Sequence, residues 1–269
     1  MRLHSQSYPD NYLEMSVTER KRCSRQTPVV IIPGLFGSTV NWRGFAKKLS
    51  SHHPVIVIDQ RNHGRSEHTE SNTYQDMVGD LNDFLLQNEL TEIMLCGHSM
   101  GGKVAMLFAL QYPEKIKKIA VLDIAPVTYM HSHAPFLDEL LNVDLGQIQS
   151  RRDADRLLEP VIGDVGTRLF LLQNLAGTVG NFFWRINLKV LHQHMSEIAG
   201  FPEQAISQAK GGFPSIFITG KRSNYVKETD HKIIELLFDD VSYVAIEEAG
   251  HWLHAEQPDR VLEALINFY

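Results

Sequence analysis

Short apolar runs recur along this chain, and amphipathic stretches separate them. Val29 to Ile32, Val55 to Ile58, Ile93 to Leu95, Ile116 to Leu122, Pro214 to Thr219 and Val241 to Ile246 each read as a strand. Val29 to Ile32 is β-branched throughout, the pattern of a strand covered on both faces. Helical spacing follows the strands: Trp42, Phe45 and Leu49; then Met77, Leu81, Phe84 and Leu85 in a helix from Thr73 to Gln87; then Val104, Leu107, Phe108 and Leu110. Further helices are predicted from Val226 to Leu237 and from Pro258 to Phe268. This alternation predicts an α/β architecture, a mostly parallel central sheet with helices on both faces. At the N-terminus, Arg2 to Tyr8 and Tyr12 to Val17, separated by Pro9-Asp10-Asn11, suggest a polar edge hairpin.

The alternation stops between Val127 and Gly212. Helices are predicted there at Pro135 to Asn142, Asp153 to Leu158, Thr167 to Leu175 and Trp184 to Ile198, with no convincing strand. So long a stretch exceeds any ordinary connection, and it reads as an inserted helical cap. The expected organisation is a discontinuous core domain, residues 1–126 and 213–269, carrying a cap of residues 127–212.

Composition narrows the class. The chain has 269 residues, 43% hydrophobic and 22% charged, as in a globular protein with a substantial core. Its 26 basic and 32 acidic residues give a net charge of −6, and no basic stripe follows a phosphate backbone, so no nucleic-acid partner is expected. Two cysteines, one of them in the apolar run at Cys96, argue against a disulfide framework and for a reducing compartment. No apolar run reaches signal-peptide or membrane-span length, so cytoplasmic residence is expected. The absence of a phosphate-cradling glycine loop, a metal-ligand cluster and a nucleotide fingerprint predicts no metal and no cofactor.

The chemistry gathers around Gly97-His98-Ser99-Met100-Gly101-Gly102, where a strand turns into a helix. Such a turn crowds the backbone, so the positions two before and two after the serine must lack a side chain, as Gly97 and Gly101 do. The helix N-terminus then sits beside the hydroxyl, where negative charge develops in acyl transfer. A serine needs a neighbouring imidazole to take its proton. Reactive groups of an open parallel sheet lie at the carboxyl ends of strands. Among 13 histidines, His251 follows the last strand in a short Gly-led loop and is the expected base. His63 reads as a loop-packing residue, and the side chain of His98 should point away from its neighbour Ser99. For the acid, Asp123 ends the strand directly after the serine unit, whereas Asp59 reads as a structural turn or ion-pair residue near Arg61. The loop Gly220-Lys221-Arg222-Ser223-Asn224 offers no carboxylate. The assignment is Ser99, Asp123 and His251, in that chain order.

With these residues in place the chain resembles the α/β-hydrolase superfamily, whose Ser, acid and His occur in this order. More narrowly it is similar to YbfF-type bacterial esterases, through Gly34-Leu35-Phe36-Gly37-Ser38, Asp59-Gln60-Arg61-Asn62-His63-Gly64 with Ser66, and Leu122-Asp123-Ile124-Ala125-Pro126-Val127. Gly97-His98-Ser99-Met100-Gly101-Gly102-Lys103 and Gly250-His251-Trp252 with His254-Ala255-Glu256 carry it further. The resemblance implies that the acid has moved from the usual position, here Ser223, to Asp123. Ser223 is then either an accessory fourth member or a plain loop serine. It implies an oxyanion hole from the backbone N–H groups of Leu35 and Met100, with Phe36 the alternative if the loop is shifted by one residue. Pro33 stands where the superfamily usually has a loop-supporting histidine.

The resemblance also implies a helical lid over the serine. Trp184, Phe36, Met100 and Trp252 either line an acyl pocket or, within the cap, form its core; Arg185 either meets a polar end of a substrate or makes an intracap ion pair. The expected activity is hydrolysis of short to medium carboxylic esters or thioesters, including acyl-CoA, by a monomer or homodimer. The alternatives are a C–C bond hydrolase or lyase of the menaquinone-pathway synthase type, and a non-catalytic binding protein on the same scaffold.

Overall fold

The computed structural model describes residues 1–23, 27–130, 133–202 and 210–269. Seven strands form one sheet: β1 (Ser5–Tyr8), β2 (Val29–Ile32), β3 (Val55–Ile58), β4 (Ile93–His98), β5 (Ile116–Leu122), and two more described below as β8 (Gly211–Gly220) and β9 (Phe238–Ile246). Their order is β1-β3-β2-β4-β5-β8-β9. Only β1 runs antiparallel to its neighbour.

The strand residues partition by the two-residue period of extended backbone. Val30, Ile32, Ile56, Ile58, Ile93 and Leu95 point to one face, where α3 (Tyr74–Gln87) and α4 (Met100–Gln111) cover them. Val29, Ile31, Val55, Val57, Met94 and Cys96 point to the other, under α2 (Thr39–Leu49) and the C-terminal helix Pro258–Phe268. Both faces are thus dry, which is why β2, β3 and the Ile93 to Cys96 part of β4 are apolar throughout rather than alternating. Each fully buried Val or Ile contributes on the order of 2 kcal/mol. A capping box at Thr73 and Asp76 starts α3. The paired Arg61 and Asp80, at 2.6 Å, tie the loop after β3 to that helix.

The N-terminal hairpin does not form. β1 pairs with β3, and the chain then enters a 3-10 turn (Tyr12–Glu14) and α1 (Val17–Cys23). Tyr12 packs into the core, and the buried Arg20 guanidinium donates to the carbonyls of Tyr12, Leu13 and Asn88, which fixes the turn.

Between β5 and β8 lie α5 (Ala134–Asn142), α6 (Arg151–Leu158), α7 (Val165–Leu172), α8 (Leu188–Gln193) and α9 (Met195–Ala199). A two-stranded ribbon, β6 (Leu175–Ala176) with β7 (Phe183–Trp184), interrupts them, where no strand was expected. The helix predicted from Trp184 to Ile198 is therefore shorter and divided. Asn187 bonds to Asn62 and Thr69 of the core instead of continuing the ribbon, and it caps α8. After β8, α10 (Glu228–Leu237), β9, α11 (Leu253–Glu256) and α12 (Pro258–Phe268) complete the chain. Among the described residues no helix is long and apolar enough to cross a membrane.

Candidate active site

Of the six non-glycine residues with positive φ among the described residues, five follow the carboxyl ends of strands: Phe36 after β2, Asn62 after β3, Ser99 after β4, Asp123 after β5 and Glu248 after β9, while Glu89 follows α3. Strained backbone of this kind persists only where the surroundings over-determine it. At Ser99 (φ 53°) the cause is visible in the flanking glycines. A Cβ on Gly97 would lie 2.3 Å from the Gly101 carbonyl oxygen, and one on Gly101 would lie 2.3 Å from that of Ile32. The strand-to-helix turn packs so tightly that only hydrogens fit, and Ser99 is held above the sheet edge, its N–H donating to Leu122 at 3.1 Å.

Adjacent strand positions bring three side chains into line. His251 Nε2 lies 2.9 Å from Ser99 Oγ, and His251 Nδ1 lies 2.8 Å from Asp123 Oδ2. The neighbouring pairing of β4 with β5, then β5 with β8, places Asp123 between the serine and the loop that follows β8. Its Oδ1 accepts from the Gly220 N–H at 3.1 Å, and its Oδ2 also accepts from Ser223 Oγ. Burial raises the Asp123 pKa to about 6, against the opposing hydrogen bonds from Ser223 and Gly220. Ser223 is thus in direct contact with the carboxylate.

The loop after β2 passes beside the serine: a Cβ on Gly34 would lie 3.0 Å from Ser99 Cβ. Among the described residues, the N–H groups of Leu35, Phe36 and Met100 donate to no protein acceptor. Two amides hold this loop. Gln60 Nε2 donates to the Pro33 carbonyl at 3.1 Å from the core side, and Asn174 Nδ2 donates to the Phe36 carbonyl at 2.9 Å from the side of α7.

Behind His251 stands a layer of neutral imidazoles. His98 Nε2–H donates to the His251 carbonyl at 2.8 Å, and burial drives the His98 pKa to about 3. His254, whose pKa burial also holds far below the ordinary histidine range, stacks on Trp42 at 4.0 Å. On the open side the Tyr225 ring stacks on His251 at 3.7 Å, and the Tyr225 carbonyl accepts from Tyr129 Oη at 2.6 Å. The expected outward turn of His98 is therefore met, and the side chain has a definite partner.

Two narrow cavities flank Ser99. The first, about 30 Å³, is lined by Leu35, Met100, Lys103, Ile124, Tyr129 and Ile198 among others. The second, about 20 Å³, is bounded by Phe36, Phe136, Phe170 and Trp252. Trp184 and Arg185 line neither cavity. Their segment is pulled over the loop after β3 instead, where the Arg185 carbonyl accepts from His68 and Asn187 bonds to Asn62. Arg185 makes no ion pair among the described residues. Asp59 is a turn organiser, accepting from the Thr39 N–H at 2.6 Å and the Arg65 N–H at 2.9 Å; Arg61 pairs with Asp80 and Asp76 rather than with it. His63 is buried with its pKa lowered to about 4, donating to the Arg61 carbonyl.

Tyr225, Gln60, Asn174 and Lys103 were not singled out by sequence reasoning. The first three act on backbone groups or on a ring face, which leaves no spacing to detect. Lys103 stood in the quoted motif, and its position one helical turn from Ser99 was the available signal.

A family model described as the alpha/beta hydrolase fold matches residues 27–258. The sn-1-specific diacylglycerol lipase ABHD11 of Mus musculus is 38% identical over 248 residues, covering 89% of this chain and 80% of that protein. Esterase YbfF of Escherichia coli is 32% identical over 240 residues, covering 89% of this chain and 91% of its own. The solved structure of a marine microorganism esterase superimposes with a TM-score of 0.90 at 31% identity, covering 100% of both chains. On fold, motif order and these similarities together, the chain belongs to the α/β-hydrolase family, with YbfF-type esterases among its relatives.

Proposed function

We propose that this chain is a serine hydrolase of carboxylic esters or thioesters that works through an acyl-enzyme on Ser99. The observation that carries the reading is the continuous relay from Ser99 Oγ through His251 to Asp123, with contacts of 2.9 and 2.8 Å. Ser99 Oγ attacks the substrate carbonyl carbon as its proton passes to His251 Nε2. Asp123 accepts from Nδ1–H, fixes the tautomer and offsets the imidazolium charge. The oxyanion receives the N–H groups of Leu35 and Met100, each worth about 3 kcal/mol of transition-state stabilisation. His251 then protonates the departing alcohol or thiol. Water, deprotonated by His251, attacks the acyl-enzyme carbonyl, and release of the acid returns the proton to Ser99.

Residues 127–212 act as the cap. Through Asn174 they brace the oxyanion loop, and through α9 they wall the first cavity. The first cavity is narrow, about 30 Å³, so short acyl groups are the fitting substrates. The names of the relatives, an esterase and a lipase, support an ester as the scissile group. Hydrolysis of p-nitrophenyl acetate tests the reading: Ser99→Ala should lower kcat by about 10⁴-fold or more and abolish labelling by a fluorophosphonate. Equal turnover by wild type and variant would refute it.

A further inference from the structure

Lys103 is 1% exposed, yet it lies on the wall of the cavity that holds Ser99, one turn along α4 from the serine. Its ammonium donates to the carbonyls of Ala199 at 2.8 Å and Gly200 at 2.5 Å, and it sits 4.7 Å above the Tyr129 ring. Three features set it apart. It has no carboxylate within ion-pair distance among the described residues, whereas the buried Arg61 and Arg168 each have two. Arg20, also held by carbonyls alone, spends its guanidinium on three of them and lines neither cavity. Lys103 has three N–H donors and two carbonyl acceptors, so one donor remains without an oxygen partner among the described residues.

The rest of the cavity wall is largely apolar: Leu35, Met100, Ile124, Met195 and Ile198. An alkyl tail filling it would leave the ammonium, already shut off from water, without a counter-charge. A carboxylate at the end of the tail would supply both the missing acceptor and the missing counter-charge, in a charge-assisted bond inside a dry site. The Ala199 and Gly200 carbonyls hold the ammonium in place beforehand, so little ordering remains to be done on binding.

We propose that Lys103 forms a carboxylate-recognition subsite in the acyl pocket, selecting half-esters or half-thioesters of short dicarboxylic acids over alkyl acyl groups of equal length. This inference rests on the ester-hydrolase reading and specifies its substrate class. Burial alone, with no opposing charge, lowers the Lys103 pKa to about 7, in keeping with a cation that lacks its partner.

The test compares ethyl butyrate with monoethyl succinate, whose acyl groups have equal length and differ in ending on a methyl or a carboxylate. Hydrolysis is followed in a pH-stat with wild type and Lys103→Met. Wild type should favour the half-ester in kcat/KM by about tenfold or more, and Lys103→Met should lower that ratio by at least about tenfold, the yield of one charge-assisted contact. A wild-type preference for butyrate, or a ratio unmoved in the variant, overturns the proposal; a lysine serving only as a tether between α4 and α9 would leave the ratio unmoved. Should Lys103→Met fail to fold, product inhibition of wild-type p-nitrophenyl acetate hydrolysis decides: succinate must inhibit more strongly than butyrate, and equal or weaker inhibition overturns it. If wild type cleaves no ester at all, the ester-hydrolase reading itself has failed. Thermal stabilisation of the chain by succinate but not butyrate then separately upholds or, if absent, removes the Lys103 subsite.

Discussion

Asp123→Asn is the most discriminating substitution in the proposed relay, because the geometry dictates how an amide would sit. Oδ1 of Asp123 accepts from the Gly220 N–H, while Oδ2 faces both Ser223 Oγ and His251 Nδ1. The amide oxygen of an asparagine must therefore stay at the Oδ1 position, since an NH₂ there would meet the Gly220 donor. Its NH₂ then faces His251 Nδ1, which becomes an acceptor and moves the ring proton to Nε2. In that tautomer the imidazole cannot take the proton of Ser99. A wrong tautomer costs about 10⁴ in kcat where an Asp to Asn change has been made in a serine triad. By the transition-state relation this is about 5 kcal/mol. KM on p-nitrophenyl acetate should change far less. Stability should move the opposite way from activity. The Asp123 pKa is raised by burial to about 6, so the native state binds this proton more tightly than the unfolded chain does. That favourable contribution is present at low pH and is lost as pH rises from about 4 to about 6. The Tm of Asp123→Asn relative to wild type should thus rise across that window. A kcat within about tenfold of wild type would refute the tautomer argument. A Tm difference that fell with pH would refute the electrostatic one.

Two further substitutions probe the groups around the relay. Ser223→Ala removes one hydrogen bond to a carboxylate that keeps its Gly220 donor, so kcat should fall by only about tenfold. Ser223 lowers the Asp123 pKa; without it the pKa rises, and the acid limb of the pH–rate profile should move to higher pH, an unmoved limb counting against the contact. Asn174→Ala leaves the buried Phe36 carbonyl without its donor, a loss of about 1–3 kcal/mol, and loosens the proposed oxyanion loop. Tm should drop by a few degrees, and kcat should fall alike for acetyl and butyryl esters; an acyl-dependent loss would place Asn174 in the acyl pocket instead.

The parts of this molecule that were legible in its sequence are those where burial constrains side-chain type. Strands β2 and β3, and the central parts of β4 and β5, are dry on both faces, so their positions are apolar and the runs stand out. Because β4 and β5 are neighbours, the strand-end position of Asp123 lies beside that of Ser99 without any carboxylate in the loop after β8. Polar segments carried no such constraint. Ser5–Tyr8 says nothing of its partner, and it found β3 across the chain rather than the segment beyond Pro9. The two-residue strands of the β6 and β7 ribbon are too short to display any period. The same logic explains the residues that were missed around the serine. Gln60, Asn174 and Lys103 all act on backbone carbonyls, which every residue possesses, so no second letter marks the contact. Lys103 is the instructive case. Its letter lies inside the elbow motif, but only the fold brings the end of α9 over it and buries its charge at the wall of the cavity beside Ser99. A cation buried there without a carboxylate is costly to keep, and a substrate that brings its own is the one that relieves the cost.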